Sequence, residues 1–383
     1  MSLGVVGSIS FYLLVFGLSA WMANKGYHNK NRVLISIAIF IPALIGGLRY
    51  DVGLDYFSYL NAYADINNPI SEARYTRTSR MGVAFKGIAL LSGRIFSSPV
   101  PMFFLYSFIT IFFFYKILKE AKVSRVDIPL FVFYAIIFLN SFNITRQGVA
   151  LSVGGLCLLY FAKKEHKKAL ACGVLAVLFH TSALIIFIYV MLAKILKSLG
   201  KRVVGSKKLY DRILQSLLFI ILVIIFGSVC ISGFREGIYL ITGKIGALSS
   251  DVPLGVIFKL MLSVVTLILI RQVWENLVQW KKRMVIVFVI GVAVYSLGLA
   301  HNEAARWGLY AFSLTPLIFM FVYDSVGVIT INQRVKYKIM AIFLAIMYTT
   351  SVHFGGEFVR YEYKSILTSP DYPRVINDLN IKE

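Results

Sequence analysis

Charge of negative sign is scarce in this chain, where 18 Asp and Glu stand against 40 Lys and Arg, and charged residues of both signs together make up only 15%. Cysteine is scarcer still, with three residues, Cys157, Cys172 and Cys230, each inside an apolar run. That number and placement exclude a disulfide framework and a thiolate metal site, so the cysteines read as small buried residues. No glycine-rich nucleotide loop occurs, and no cofactor or metal is expected. No stretch between the apolar runs is long enough to make a soluble domain of useful size.

What is abundant is apolar: 58% of residues are hydrophobic, in long uncharged runs. This is the composition of a polytopic membrane protein, and because lipid tolerates no unsatisfied backbone, the chemistry has to sit on helices and the loops between them. The fold class expected is all-α, a single integral membrane domain over residues 1–383 built as a transmembrane helix bundle. The formal net charge of +22 does not point to nucleic acid, because the basic clusters fall in short loops between apolar runs, where the positive-inside rule puts them.

Taken in order, the first run covers roughly residues 5–23, with no Lys or Arg before it and Lys25, Lys30 and Arg32 after it. That is the reverse of a signal peptide and predicts a retained span with its N-terminus outside. A second run, about 33–48, returns outward, and 49–80 forms an outer loop. Residues 81–97 are short and carry Lys86 and Arg94; an amphipathic helix at the outer interface keeps the following basic stretch inside. Spans follow at about 101–118, 128–143 and 147–162. Residues 169–193 break at Phe179-His180-Thr181-Ser182, where Thr181 or Ser182 is suited to cap a restarted helix, and a re-entrant hairpin with His180 near its tip satisfies the charge rule. Further spans at about 212–232, 253–270, 284–300, 307–324 and 339–353 bring the total to about ten, with an outer tail from 354 to 383 and both termini outside.

This topology gathers unusual polar groups on one side: the stretch Gly46 to Tyr59, Arg146-Gln147, the segment His301 to Arg306, and His353-Phe354-Gly355-Gly356-Glu357. Ionisable groups at membrane depth pair or serve function. Each also has a plainer reading. Arg49 with Asp51 or Asp55 would make an interfacial ion pair; Asp51 and Asp55 would share a helical face at i, i+4; Glu303 and Arg306 would pair with each other at i, i+3. Arg146 would serve as a span-end anchor, His180 as a packed histidine, and the rings at 50, 56, 57 and 59 as an interfacial belt or a sugar platform.

Three patterns together resemble the EpsG family of extracellular-polysaccharide polymerases, relatives of the Wzy O-antigen polymerases. Gly47-Leu48-Arg49-Tyr50 through Gly53-x-Asp55-Tyr56-x-x-Tyr59 is similar to the family's signature after the second span; Arg146-Gln147-Gly148-Val149-Ala150 is similar to its Arg-Gln-x-x-Ala motif; Phe179-His180-Thr181-Ser182-Ala183 is similar to its Phe-His-x-Ser-Ala motif. Arg306 with Tyr310 is a looser match. Where the family commonly has a Glu-Pro-Gly-like start to its third apolar segment, this chain has Arg80-Met81-Gly82.

The resemblance implies a glycosyltransferase of the bacterial inner membrane that joins undecaprenyl-diphosphate-linked repeat units at the outer face into O-antigen, capsule or exopolysaccharide. Its partners would be those lipid-linked glycans, the bilayer, a chain-length regulator and a flippase. Such chemistry needs cations for the departing diphosphate, where Arg49 and Arg146 are first choices and Arg306 a third, since a guanidinium meets phosphate bidentately. It also needs a base for the acceptor hydroxyl, with Asp55 before His180. Asp51 would orient Arg49; Tyr50, Tyr56, Gln147, Glu303 and Tyr310 are candidate substrate contacts. A lipid-linked sugar flippase and a glycan ligase are the competing readings; the first would show internal repeats, and none is evident.

Overall fold

A computed structural model describes residues 3–68, 81–199, 254–297, 302–325, 330–354 and 361–379, with short helical pieces at 207–208, 211–212 and 215–216. The expected span at 212–232 lies almost wholly outside the described residues, as do 69–80, Cys230, His301 and Gly355-Gly356-Glu357. The described residues are helical, and β-pairing among them is limited to one bridge between Arg49 and Ser365.

The chain divides into two compact units, one of residues 1–157, 166–184 and 335–383, the other of 158–165 and 185–334. The first contains α1 (Gly4–His28), α2 (Arg32–Gly47), α3 (Tyr56–Asn67), α4 (Val83–Phe96), α5 (Val100–Ala121), α6 (Asp127–Phe133), most of α7 (Thr145–Ala162) and α8 (His166–Phe179). The second contains α9 (Ile185–Leu199), α10 (Leu254–Val273), α11 (Gln279–Ser296), α12 (Asn302–Phe312) and α13 (Thr315–Tyr323). Helix α14 (Ile331–Phe354) begins in the second unit and continues in the first, which also holds α15 (Tyr372–Asp378).

Local chemistry explains the starts and stops. Asn31 caps α2, its Oδ1 accepting the Leu34 N–H at 3.0 Å. Proline in the opening turn of α5 supplies a preset φ where no N–H is needed, and Lys122 ends that helix in the left-handed region at φ 53°. In the first unit α1 packs on α2 and α6, α2 on α5, and α4 on α3, α5 and α8. Ser19 of α1 donates to the Ala38 carbonyl of α2 and lies 3.0 Å from the Tyr134 hydroxyl, joining three segments by polar contacts of the kind that hold helices together in lipid.

Helix α1, with 25 residues, measures about 37 Å, more than the hydrocarbon core of a bilayer. Together with α5 and the stretch Glu303–Tyr323 it is long and apolar enough to cross a membrane; Arg32–Gly47, Asp127–Phe142 and Thr181–Ile195 are shorter apolar helices. Outward faces carry large exposed apolar side chains, including Leu14, Leu18, Trp21 and Phe40. This is an all-helical membrane protein.

Two expected elements take a more particular form. The span at 128–143 is not one uniform helix: after Phe133 it widens into a π turn over Tyr134–Phe138, where the Leu139 N–H reaches the Tyr134 carbonyl at 3.0 Å, and then tightens into a 3-10 turn at Asn140–Phe142. Such turns change helical register, and they are often found beside functional sites. The break expected after residue 179 is present, with α8 ending at Phe179 and a 3-10 turn at Thr181–Leu184 before α9. Of the expected tail, residues 361–366 fold back onto the loop after α2.

Candidate active site

The loop from Leu48 to Asp55 is held from two sides. On one, the Tyr50 N–H donates to the Lys364 carbonyl and the Ile366 N–H to the Leu48 carbonyl, both at 2.9 Å, forming the bridge that pairs Arg49 with Ser365. Lys364 Nζ also lies 3.2 Å from Asp51 Oδ2. On the other side, the Leu54 N–H donates to Asn143 Oδ1 at 2.6 Å, while Asn143 Nδ2 donates to the Tyr361 hydroxyl at 2.7 Å. Asn143 therefore ties the loop to the C-terminal strap just ahead of α7.

Gly53 makes this closure possible. Its φ is +93°, and a Cβ there would stand 2.7 Å from the Phe142 carbonyl oxygen and 2.8 Å from Asn143 Oδ1. Asp51 also sits in the left-handed region, at φ 52°. With two positive-φ residues in the loop, helix α3 begins only at Tyr56, so the expected placement of Asp51 and Asp55 on one helical face is not formed. Asp51 turns to Lys364. Asp55 is exposed at the head of α3, and its carboxylate makes no capping bond to the first turn.

Arg49 points inward. It is 1% exposed, its Nη1 donates to the Gly46 carbonyl at 2.8 Å and its Nη2 to Thr145 Oγ1 at 3.0 Å. The guanidinium lies between two rings, 4.7 Å from the Phe103 centroid and 4.6 Å from that of Phe142. Tyr56 stacks on the far side of this arrangement, 5.1 Å from Phe103 at an interplanar angle of 16°. A desolvated cation–π contact contributes about 2 kcal/mol, which helps offset the burial of a charge whose Nε has no hydrogen-bond partner. Burial lowers the Arg49 pKa to about 10, so the group remains charged at neutral pH. The ion pair with Asp51 or Asp55 expected from sequence is replaced by these contacts. Tyr50 and Tyr56 are likewise buried rather than open platforms, Tyr50 lying edge-on to Tyr56, Phe57 and Tyr372.

Arg146 and Gln147 occupy the first turn of α7, whose first backward bond runs from the Gly148 N–H to the Ile144 carbonyl at 2.7 Å. Gln147 is buried and Arg146 half-buried. Arg146 lies 6.0 Å from the Phe85 ring and within electrostatic reach of Tyr59 and Tyr106. Phe85 in turn touches Tyr59 and Tyr106, at 5.8 and 6.0 Å between centroids, and Tyr106 meets Phe179 edge-on at 5.9 Å. Phe179 is the residue before His180, so the aromatic surroundings of Arg146 extend to the third motif. The His180 ring is fixed through Nδ1, which lies 2.7 Å from Ser182 Oγ and accepts the Ser182 N–H at 3.3 Å. An Nδ1 that accepts a backbone N–H leaves the proton of the neutral ring on Nε2.

Within the first unit the Arg49 motif meets the start of α7 through Thr145, and the third motif reaches the surroundings of Arg146 through the contact of Phe179 with Tyr106. In the second unit, Glu303 and Arg306 pair with each other at 3.0 Å on the exposed surface of α12, and Tyr310 is fully buried. Residues that the sequence reading passed over are Phe103, Phe142, Asn143, Thr145, Tyr361 and Lys364. Asn143-Ile144-Thr145, directly before the helical run, is a legible capping cluster; Lys364 lies 313 residues from Asp51 and carries no local signal.

No curated protein and no solved structure matches the chain. Residues 32–365, nearly the whole of it and all three motifs, match the EpsG family. The chain belongs to the EpsG family, a membership that implies a polysaccharide-polymerase-like role.

Proposed function

We propose that this protein polymerises glycan repeat units carried on undecaprenyl diphosphate at the outer face of the bacterial inner membrane. The observation that carries this reading is the concentration of positive charge at the start of α7: Arg49 bonded to Thr145, Arg146 in the same turn, and the helix's own N-terminal dipole. A diphosphate leaving group needs such preorganised charge. Arg146, half-buried, is the group that meets the phosphate oxygens; Arg49, already engaged, supplies a fixed charge behind it.

In the transfer, the acceptor sugar hydroxyl attacks the anomeric carbon of the growing chain. The new C–O bond forms as the bond to diphosphate breaks, and undecaprenyl diphosphate departs with the electron pair. Asp55, exposed at the head of α3, takes the hydroxyl proton. His180, with Nδ1 occupied, presents Nε2–H and is suited to donate a hydrogen bond to substrate oxygen. Lys364 and Tyr361 hold the Asp55 loop in position. The reading includes about ten crossings with both termini outside, as the positive-inside rule favours.

Deleting the gene and sizing the surface glycan tests this. A polymerase deficit leaves single-repeat glycan on its normal acceptor. Precursor trapped on the inner leaflet would instead mean a flippase, and long unattached chains a ligase.

A further inference from the structure

A groove between α2 and α5 encloses about 580 Å³ and belongs to none of the chemistry above. The two helices run antiparallel: Gly47 at the end of α2 approaches Phe104 near the start of α5, while Arg32 at the start of α2 and Lys119 in the last turn of α5 line the groove together. Its walls are apolar. Ile37, Phe40 and Phe112 are 40%, 47% and 41% exposed, and the Phe108 and Phe112 rings stack at 6.1 Å and 11°, giving the groove a flat aromatic side. No carboxylate lines it. Among the described residues neither Arg32 nor Lys119 has an ion-pair partner.

The geometry points to a binding site for an anionic phospholipid, its headgroup phosphate held by Arg32 and Lys119 and an acyl chain lying along Phe40, Phe108 and Phe112. Two unpaired cations at the mouth of an apolar groove complement one negative charge joined to a hydrocarbon chain, not a soluble anion. The span from Arg32 to Phe40 is about 12 Å along the helix, enough for the upper part of one chain. Both cations follow the positive-inside pattern, and basic pockets between spans on that side take anionic headgroups. Arg49 lies beyond the opposite end of α2, roughly 24 Å away along the helix, so this cation pair is separate from the diphosphate site. The assignment does not depend on the polymerase reading.

Native mass spectrometry of the full-length protein, titrated with phosphatidylglycerol and with phosphatidylcholine, tests it. One phosphatidylglycerol per chain is expected to be retained in preference to phosphatidylcholine. Arg32→Gln and Lys119→Gln are each expected to weaken its binding roughly five-fold. Ile37→Trp, which keeps both charges and fills the groove, is expected to weaken both lipids. Equal retention of the two lipids by the wild-type protein would overturn the assignment, as would displacement of phosphatidylglycerol by a polyprenyl diphosphate from the same groove. An Ile37→Cys crosslink between two copies would give the groove to a second chain and overturn it equally.

Discussion

Two regions of this chain combine an arginine and a carboxylate near a helix start, and they put them to opposite uses. In α12, Arg306 pairs with Glu303 one turn away on an exposed surface. Around α7, Arg49 is buried between Phe103 and Phe142 and bonded to a threonine 96 residues away, while its neighbour Asp51 reaches Lys364 in the C-terminal strap. The first arrangement is local and solvated, and pairs of that kind contribute at most about 1 kcal/mol. The second is made of contacts that exist only once the fold is complete. Residue type alone therefore says little; what distinguishes a site is charge held in place by distant parts of the chain.

The comparison breaks most visibly under a conservative change. Arg49→Lys keeps the charge but loses the planar fork between two rings and the simultaneous bonds to Gly46 and Thr145. Polymerisation rate with lipid-linked repeat units is expected to fall about a hundred-fold, while Arg306→Lys stays within about two-fold of wild type. Gly53→Ala should come next. A side chain at φ +93° facing the Phe142 carbonyl destabilises the loop by about 2 kcal/mol, to be seen as faster proteolysis between α2 and α3. Gly87→Ala, where a Cβ meets nothing within 4 Å, is expected to leave that cleavage unchanged.

Smaller effects sharpen the role of the strap. Asn143→Ala removes the acceptor for the Leu54 N–H and a donor to Tyr361, a loss of about 1–2 kcal/mol in thermal unfolding. Lys364→Ala breaks a part-exposed pair with Asp51 and should lower stability by less than about 1 kcal/mol. That stability difference should shrink at high salt, where the wild-type pair is itself screened.

How far the sequence could be read follows from the same contrast. Apolar runs mark the helices because lipid demands them, and α1, α2, α5 and α7 lie where those runs fall. The break at His180 was legible from the Thr181-Ser182 pair, and the Arg49 and Arg146 motifs lie on segments that the Arg49–Thr145 bond joins. The geometry within the cluster was not legible. Asp51 to Asp55 has helical i, i+4 spacing, yet positive φ at Asp51 and Gly53 keeps the stretch out of a helix. Phe103 and Phe142 look like any apolar residues of a span, and only packing makes them the two faces of the Arg49 site. The π turn that precedes Asn143 likewise has no sequence mark among Tyr134-Ala135-Ile136-Ile137-Phe138.

Charge at the start of α7 is proposed to stabilise a departing diphosphate. That role is tested most directly by measuring chain extension with purified, reconstituted Arg146→Ala protein beside Arg306→Ala, each supplied with lipid-diphosphate-linked repeat units. Arg146→Ala is expected to insert and fold normally yet extend no chain beyond a single repeat, with Arg306→Ala producing the wild-type ladder. A normal ladder from Arg146→Ala would contradict the account.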